Sequence, residues 1–438
     1  MTILAAVIVL GILIFVHELG HFLVAKRSGV GVLKFSLGFG PKLVGVKRGE
    51  TEYLLSALPL GGYVKMIGED PNDQSAEAAD PARSFSQKTV GTRARIILAG
   101  PLANFVLPVL IFWGIFTFVG QPYFLPIVGT PEPGSAAAQA ELRAGDRVQV
   151  LDARRIERWS EVEAAVQASS GRELNLKILR DGREFDVRLA PRAVATRDIF
   201  GQDTQAWDVG LRPLISTRIG QVLAGQVAEQ AGLRGGDSIV ALNGTPVAEW
   251  EQLAKFIHGS PETPIRLTIE REGRRFDVTV TPRRGEQGVC LIGIGPAPDS
   301  HYQRLDPFSA LIDGGKETAR LSVVIVQGFV KLIQGRISPK SIGGPILITQ
   351  VAGEAVQRGP VQALQLTAFL SVNLAILNLL PIPILDGGHL LFSLIEWLRG
   401  KPVSLRKREI AQQVGLVLLV GLMVFAFYND IFRIFGRP

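Results

Sequence analysis

His17, Glu18 and His21 stand in the pattern His-Glu-x-x-His within Phe15-Val16-His17-Glu18-Leu19-Gly20-His21-Phe22. On an α-helix, residues four apart lie about 40° apart around the axis, so both imidazoles leave the same face. That spacing suits one zinc ion, and Glu18 can then reach a water at that ion as general base. A pair of hydrogen-bonded structural histidines is the plain alternative. The setting speaks against it, because residues 3–25 are otherwise apolar and long enough to span a bilayer, where ionisable side chains are costly. Two histidines leave a catalytic zinc one protein ligand short. Asp386 and His389 are the candidates. Asp386 is the one acid in residues 361–395, and a bare carboxylate at membrane depth requires a cation. No lysine or arginine lies within the spans to pair with it, so the argument favours Asp386, with His389 as the alternative. Pro381 and Pro383 break the chain just before it, and freed backbone at that depth is tolerated only where it lines a cavity.

The elements that must position these groups follow from hydropathy. A chain of 438 residues with 47% hydrophobic and 20% charged residues reads as a membrane protein with a polar part. Four segments pass the length test for spanning helices: 3–25, 96–119, about 364–395, and 410–430, the last uncharged through Tyr428. Arg399, Lys401, Arg406, Lys407 and Arg408 between the last two spans, with Lys26, Arg27, Arg93 and Arg95, put loops 26–95 and 396–409 in the cytoplasm and both termini outside. The net charge of +7 is spread along the chain rather than gathered in a tract, which argues against nucleic acid as a partner and for membrane lipid. One cysteine, Cys290, excludes an intrachain disulfide. The N-terminal run has no basic n-region, so it is read as a span and not as a cleaved signal.

Between the first two spans, residues 36–40 and 53–58 read as short strands, and Pro59-Leu60-Gly61-Gly62-Tyr63-Val64-Lys65 as turn punctuation. An exposed edge there could receive an extended peptide. Residues 71–81 read as a mobile loop. Further on, the chain repeats at a constant offset of 91: Leu142-Arg143-Ala144-Gly145-Asp146 falls on Leu233-Arg234-Gly235-Gly236-Asp237, and Phe185-Asp186-Val187 on Phe276-Asp277-Val278. The Leu-Arg-x-Gly-Asp turn, the strand 238–242 and Asn243-Gly244 resemble the PDZ family, in its permuted bacterial form. That resemblance implies two tandem peptide-recognition or gating domains. After Pro307, apolar residues at helical spacing with an uncharged part of 321–330 are too short to span and are expected on the outer membrane surface.

The whole motif set, HELGH, Gly38-Phe39-Gly40, Gly61-Gly62-Tyr63-Val64-Lys65, the stretch from Asn378 to His389 and the doubled PDZ pattern, resembles the site-2 protease family of intramembrane zinc metalloproteases. The resemblance implies zinc held by His17, His21 and Asp386, with Glu18 as catalytic base. It implies substrate contact or site shaping by Asn373, Asn378, Pro381 and Pro383, and by a membrane-dipping hairpin carrying Gly38 and Gly40. It also implies single-pass transmembrane substrates of the anti-sigma-factor type, and remnant signal peptides, in the bacterial inner membrane.

The expected architecture is a multi-pass α-helical membrane protein of four spans with a membrane-associated β-hairpin region and two tandem extracytoplasmic PDZ (α+β) domains. Its boundaries are a membrane core at 1–120 with a hairpin at 33–66, PDZ domains at 121–208 and 209–297, surface helices at 298–360, and a second membrane core at 361–438. The PDZ domains and both termini are expected in the periplasm, with the active site near the cytoplasmic face. Two rivals remain. A PDZ scaffold with a structural metal has no use for Glu18. An ion or proton transporter predicts inverted repeats among the spans, and the sequence has none.

Overall fold

Helix α1 (Thr2–Arg27) is apolar along its length and ends on Lys26 and Arg27, which suit the negative end of the helix dipole. Ile3, Leu4, Ile8, Ile12, Phe15 and Leu23 are exposed while Ala5, Val9, Leu13 and both histidines are buried. Large apolar side chains turned outward on one side, with small residues and the polar pair turned inward, fit a helix between lipid and protein. The computed structural model describes residues 2–69, 81–198, 200–223, 225–285, 289–297 and 301–435. Of the expected mobile loop at 71–81, residues 71–80 lie outside the described residues. Among the described residues, four helices are long and apolar enough to cross a membrane: Thr2–Arg27, Val90–Val119, Pro360–Leu379 and Leu405–Phe435. The chain divides into two compact units, Met1–Gly120 with Arg304–Pro438, and Gln121–Gln303.

In the first unit, strands β1 (Val32–Arg48) and β2 (Thr51–Met66) form a two-stranded sheet with an irregular register. Phe35, Ser36 and Leu37 each sit between two partners. On one side these are Tyr53, Leu54 and Leu55, and on the other Val64, Tyr63 and Gly62. Residues 59–65 are therefore not a turn, as the sequence suggested. The chain folds back and pairs its far end onto Val32–Leu37, and two adjacent glycines let it lie flat where side chains would collide. Helix α2 (Val90–Gly114) starts on Thr89, whose side chain accepts from the Thr92 amide, and carries Pro101 and Pro108 in its interior. It crosses α1 closely, since a Cβ on Gly20 would lie 2.3 Å from the Ala99 carbonyl oxygen.

The Gln121–Gln303 unit repeats itself down to individual hydrogen bonds. In the first copy β3 (Arg147–Leu151), β4 (Arg154–Arg155), helix α3 (Trp159–Ala168), β5 (Leu174–Arg180) and β6 (Arg183–Leu189) form a sheet of order β4-β3-β5-β6. The second copy gives β7 (Ser238–Leu242), β8 (Thr245–Pro246), helix α4 (Trp250–His258), β9 (Ile265–Arg271) and β10 (Arg274–Val280) in the matching order β8-β7-β9-β10. Each copy has its own apolar core, one around Val148, Leu176 and Ile178 and the other around Ile239, Leu267 and Ile269. The aspartate of each Leu-Arg-x-Gly-Asp turn is the same clamp. Asp146 accepts from the Arg143 amide and from Arg180 Nε at 2.7 Å, and Asp237 from the Arg234 amide and from Arg271 Nε at 2.6 Å.

The chain re-enters the first unit through α5 (Pro307–Ile333), capped by Asp306, whose carboxylate accepts from the amides of Phe308 and Ser309. The segment 321–330, expected as a short surface piece, is the second half of this 27-residue helix. Its start packs on α2, with Ala310 in a core with Phe112, Ile115 and Phe116. Helix α6 (Pro345–Arg358) is capped from another helix: Asp430 accepts from the amides of Gly344, Ile346 and Leu347. The stretch expected as a span at 364–395 is two helices, α7 (Pro360–Leu379) and α8 (Asp386–Arg399), because Pro381 and Pro383 cannot continue the first. Helix α9 (Leu405–Phe435) closes the fold and supplies Asp430.

Candidate active site

The site is assembled where α1 crosses α2 and the break between α7 and α8 closes over them. Three residues of α2 at spacings of four lie along the two histidines. The Ile96 carbonyl accepts from His21 Nδ1 at 2.8 Å. A Cβ on Gly100 would stand 2.2 Å from His21 Nε2, so only glycine leaves the ring its place. Asn104 brings its side-chain amide nitrogen to 3.3 Å from His17 Nδ1. With both Nδ1 atoms occupied on the α2 side, both Nε2 atoms turn inward and stand 3.3 Å apart.

Asp386 meets them from the other end of the chain. After Leu379 the backbone makes tight turns, Ile382 N–H donating to the Leu380 carbonyl and Leu385 N–H to that of Ile382, before α8 starts with Asp386 in its first turn. A carboxylate there is favoured by the positive end of the helix dipole. Gly387 and Gly388 allow the turn, since a Cβ on the first would lie 2.2 Å from the Leu380 carbonyl oxygen and on the second 2.3 Å from that of Ile382. Arg93 at the start of α2 holds the far end of α8 through Glu396 at 2.6 Å.

Asp386 Oδ2 lies 3.1 Å from His17 Nε2 and 3.5 Å from His21 Nε2. Four-coordinate zinc with bonds of ~2.0–2.2 Å keeps its ligand atoms about 3.3–3.6 Å apart, so these three donors fit zinc in type and, within a few tenths of an ångström, in spacing. Among the described residues, His17, His21 and Asp386 are the group of potential ligands that converges to within 4.8 Å. His389 stays out of it; its ring lies edge-on to Phe392 with centroids 6.4 Å apart.

The other residues singled out from sequence divide. Asn378, one residue before the end of α7, brings its amide to 3.4 Å from His17 Nε2. Asn373 lies five residues earlier, roughly 140° round the helix axis, on a different face. Pro381 and Pro383 lie in the break before Asp386. Gly38 and Gly40 adopt φ of +90° and +84°, and a Cβ on Gly38 would stand 2.7 Å from the Leu58 carbonyl oxygen. They shape the hairpin; Gly62 is where it comes up to Glu18 of α1, a Cβ there lying 3.0 Å from Glu18 Cγ. Phe39 packs on Gly61 and stacks on Tyr63, with centroids 6.1 Å apart and an interplanar angle of 9°. The sequence reading passed over Asn104, Gly100 and Gly62 as site residues. An amide in an uncharged 24-residue run was the available signal for Asn104.

The model of peptidase family M50 matches residues 5–422. The regulator of sigma-E protease RseP of Salmonella typhimurium is 37% identical over 458 residues, covering 98% of this chain and 98% of the relative. RseP of Escherichia coli K12 is 35% identical, with 98% of each chain covered. A Neisseria meningitidis serogroup A protein named "Putative zinc metalloprotease" is 35% identical over 99% of this chain and 100% of its own.

Proposed function

The chain belongs to peptidase family M50, and from that premise we propose that it is an intramembrane zinc metalloprotease that cuts within the membrane-spanning segment of single-pass proteins. The observation that carries this reading is the convergence of His17, His21 and Asp386, with Glu18 on the same turn of an apolar helix long enough to cross a bilayer. His17, His21 and Asp386 would hold the zinc. When bound, zinc acts as a Lewis acid toward water and the scissile carbonyl. Glu18 takes the proton of the attacking water and delivers it to the leaving amine. Asn378 stands beside His17 where its amide can donate to a substrate carbonyl. A transmembrane helix has its amides bonded internally, so the substrate must unwind before it is cut. The hairpin edge at Gly62, lying against Glu18, supports strand addition as the means of holding the unwound segment.

The two copies in Gln121–Gln303 are read as tandem PDZ domains, 121–208 and 209–297, which gate entry by excluding substrates whose outer domain has not been trimmed. Their doubled sheet order supports that count. The charge bias of the short loops supports a bacterial inner-membrane protein with both termini and the PDZ domains in the periplasm and the site near the cytoplasmic face. Relatives named "Regulator of sigma-E protease RseP" support an anti-sigma factor as substrate, and remnant signal peptides are a second class in this reading. The test is cleavage of a model transmembrane substrate by the purified protein and by Glu18→Gln, with zinc measured in both. Parent-like zinc with cleavage abolished is expected; a Glu18→Gln protein that cleaves like the parent refutes the proposal.

A further inference from the structure

Asn104 is fully buried, at 0% exposure, in the middle of a helix that reads as a span, and its position is fixed from two sides. Four residues on, Pro108 has no N–H to donate to the Asn104 carbonyl. That freed carbonyl instead accepts from Ser371 Oγ of α7 at 2.7 Å, and Ser371 is itself fully buried. The backbone of residue 104 is thereby tied to the helix that leads into the Asp386 break, while its side chain reaches back to His17. Gly100, one turn earlier, leaves room for His21 on the same face.

The hydrogen-bonding needs of the two rings are unequal. His21 has the Ile96 carbonyl for its Nδ1–H. Among the described residues, no carbonyl takes that role for His17. Its nearby polar groups are Asp386 and His21 on the Nε2 side, and the amides of Asn104 and Asn378. Asn378 Nδ2 is 3.5 Å from His17 Nδ1 and 3.4 Å from Nε2. A group so nearly equidistant from both ring nitrogens cannot lie along the lone-pair direction of either, which leaves Nδ1 to Asn104. A histidine that ligates through Nε2 must carry its proton on Nδ1 and needs an acceptor there. Asn104 Oδ1 is buried and has no hydrogen-bond partner among the described residues, and an amide turned about its Cβ–Cγ bond presents that oxygen to Nδ1.

We infer that Asn104 is the positioning residue for His17: its side-chain oxygen accepts the Nδ1 proton, fixing the tautomer and ring plane in which Nε2 can ligate metal. The inference rests on the zinc-site reading above. The test measures zinc affinity of the full-length protein in detergent by competition with a chromogenic chelator, and the visible spectrum of the cobalt-substituted form. Asn104→Ala is expected to weaken zinc binding about 10–100-fold and to alter the cobalt spectrum, the scale on which losing such an outer partner acts. Asn104→Asp, which keeps an acceptor but no donor, is expected to restore both. Parent-like affinity in Asn104→Ala, or an Asp variant as weak as the Ala variant, overturns the inference. A merely structural role is met by Asn104→Leu, which fills similar space but offers no acceptor; that variant is expected to bind zinc as weakly as Asn104→Ala, and parent-like affinity in it overturns the inference. His17→Ala separates the two levels: zinc lost there but kept in Asn104→Ala overturns the role of Asn104 alone, whereas zinc kept in His17→Ala overturns the zinc site itself.

Discussion

At the scale of single residues, the choice of third ligand gives the sharpest contrast. Asp386 and His389 are three residues apart on one helix, yet only the carboxylate lies within 3.5 Å of both imidazoles. Asp386→Ala is therefore expected to lose zinc and cleavage together, and His389→Ala to keep zinc at the parent level, as metal analysis after dialysis will report. The reverse pattern would reassign the site. The candidate ligands that converge in the structure were legible in the sequence because their chemistry sits in rare residue types at places where they are costly: two histidines and one acid in apolar stretches. Asn104 was not, for a physical reason. A buried amide in a span has many ordinary uses, and its meeting with His17 Nδ1 is created by the crossing of α1 and α2, which no local pattern encodes. Gly100 was hidden in the same way, since the atom that forbids a side chain there belongs to His21 on another helix.

At the scale of elements, two connections place the chemistry: the hairpin β1–β2 and the break between α7 and α8. Four long apolar helices were readable from hydropathy, although the third ends at Leu379 and not at 395; the prolines announced that break. The return pairing of Gly62, Tyr63 and Val64 on Leu37, Ser36 and Phe35 was not readable, because alternation along 36–58 defines strands but leaves their partners open. These two elements predict different failures. A Cβ on Gly387 would overlap carbonyl oxygens at 2.2 and 2.4 Å, backbone atoms that cannot swing aside. Gly387→Ala is expected to cost about 1–3 kcal/mol of overpacking strain and to misplace Asp386, so thermal stability, zinc content and cleavage all fall. A Cβ on Gly62 would instead lie 2.8 Å from the Ser36 carbonyl oxygen, 2.9 Å from Ile14 Cγ2 and 3.0 Å from Glu18 Cγ, so Gly62→Val presses on the hairpin and on the face of α1 that carries Glu18, but on none of the three ligands directly. It is expected to keep zinc at the parent level while cleavage drops, and a Gly62→Val protein as active as the parent would remove the hairpin edge from the substrate path.

At the scale of the whole molecule, the repeat was legible because its offset of 91 never changes, and the structure gives the repeated motif its physical use in the Asp146–Arg180 and Asp237–Arg271 clamps. Each aspartate side chain is 1% exposed. Asp237 is drawn out of water, which alone would raise its pKa, but the Arg271 guanidinium and the Arg234 amide outweigh this and hold it below the usual carboxylate range. A lowered pKa contributes stability that is present above the unfolded-chain value of about 3.9 and is lost as pH falls through the folded value. Asp237→Asn removes that contribution at neutral pH and leaves less to lose in acid. Stability to denaturant near pH 7 is therefore expected to fall by about 2 kcal/mol, less than for a fully buried pair because the partly exposed arginine can be rehydrated. Between about pH 5 and pH 3 the parent is then expected to lose more stability than the variant. Intrinsic fluorescence of the full chain reads this directly, since three of its five tryptophans, Trp159, Trp207 and Trp250, belong to this unit. Equal acid sensitivity of parent and Asp237→Asn would show that the clamp does not set the low-pH limit of the unit. The ends of the unit carry a second expectation. Gln121 pairs with Gln303, so the points at which the chain leaves and re-enters the membrane unit are neighbouring residues of one ladder. On the membrane side, the Leu305 amide donates to the Phe116 carbonyl at 3.0 Å, a bond that does not use the inserted unit. Replacing 121–303 with a short Gly/Ser linker is therefore expected to leave zinc binding intact, together with cleavage of a substrate with a small outer domain. If the tandem copies act as an entry filter, the shortened protein also cuts a substrate with a large folded outer domain that the parent rejects. If both proteins reject the large substrate alike, the filter lies in the membrane unit and not in the repeat.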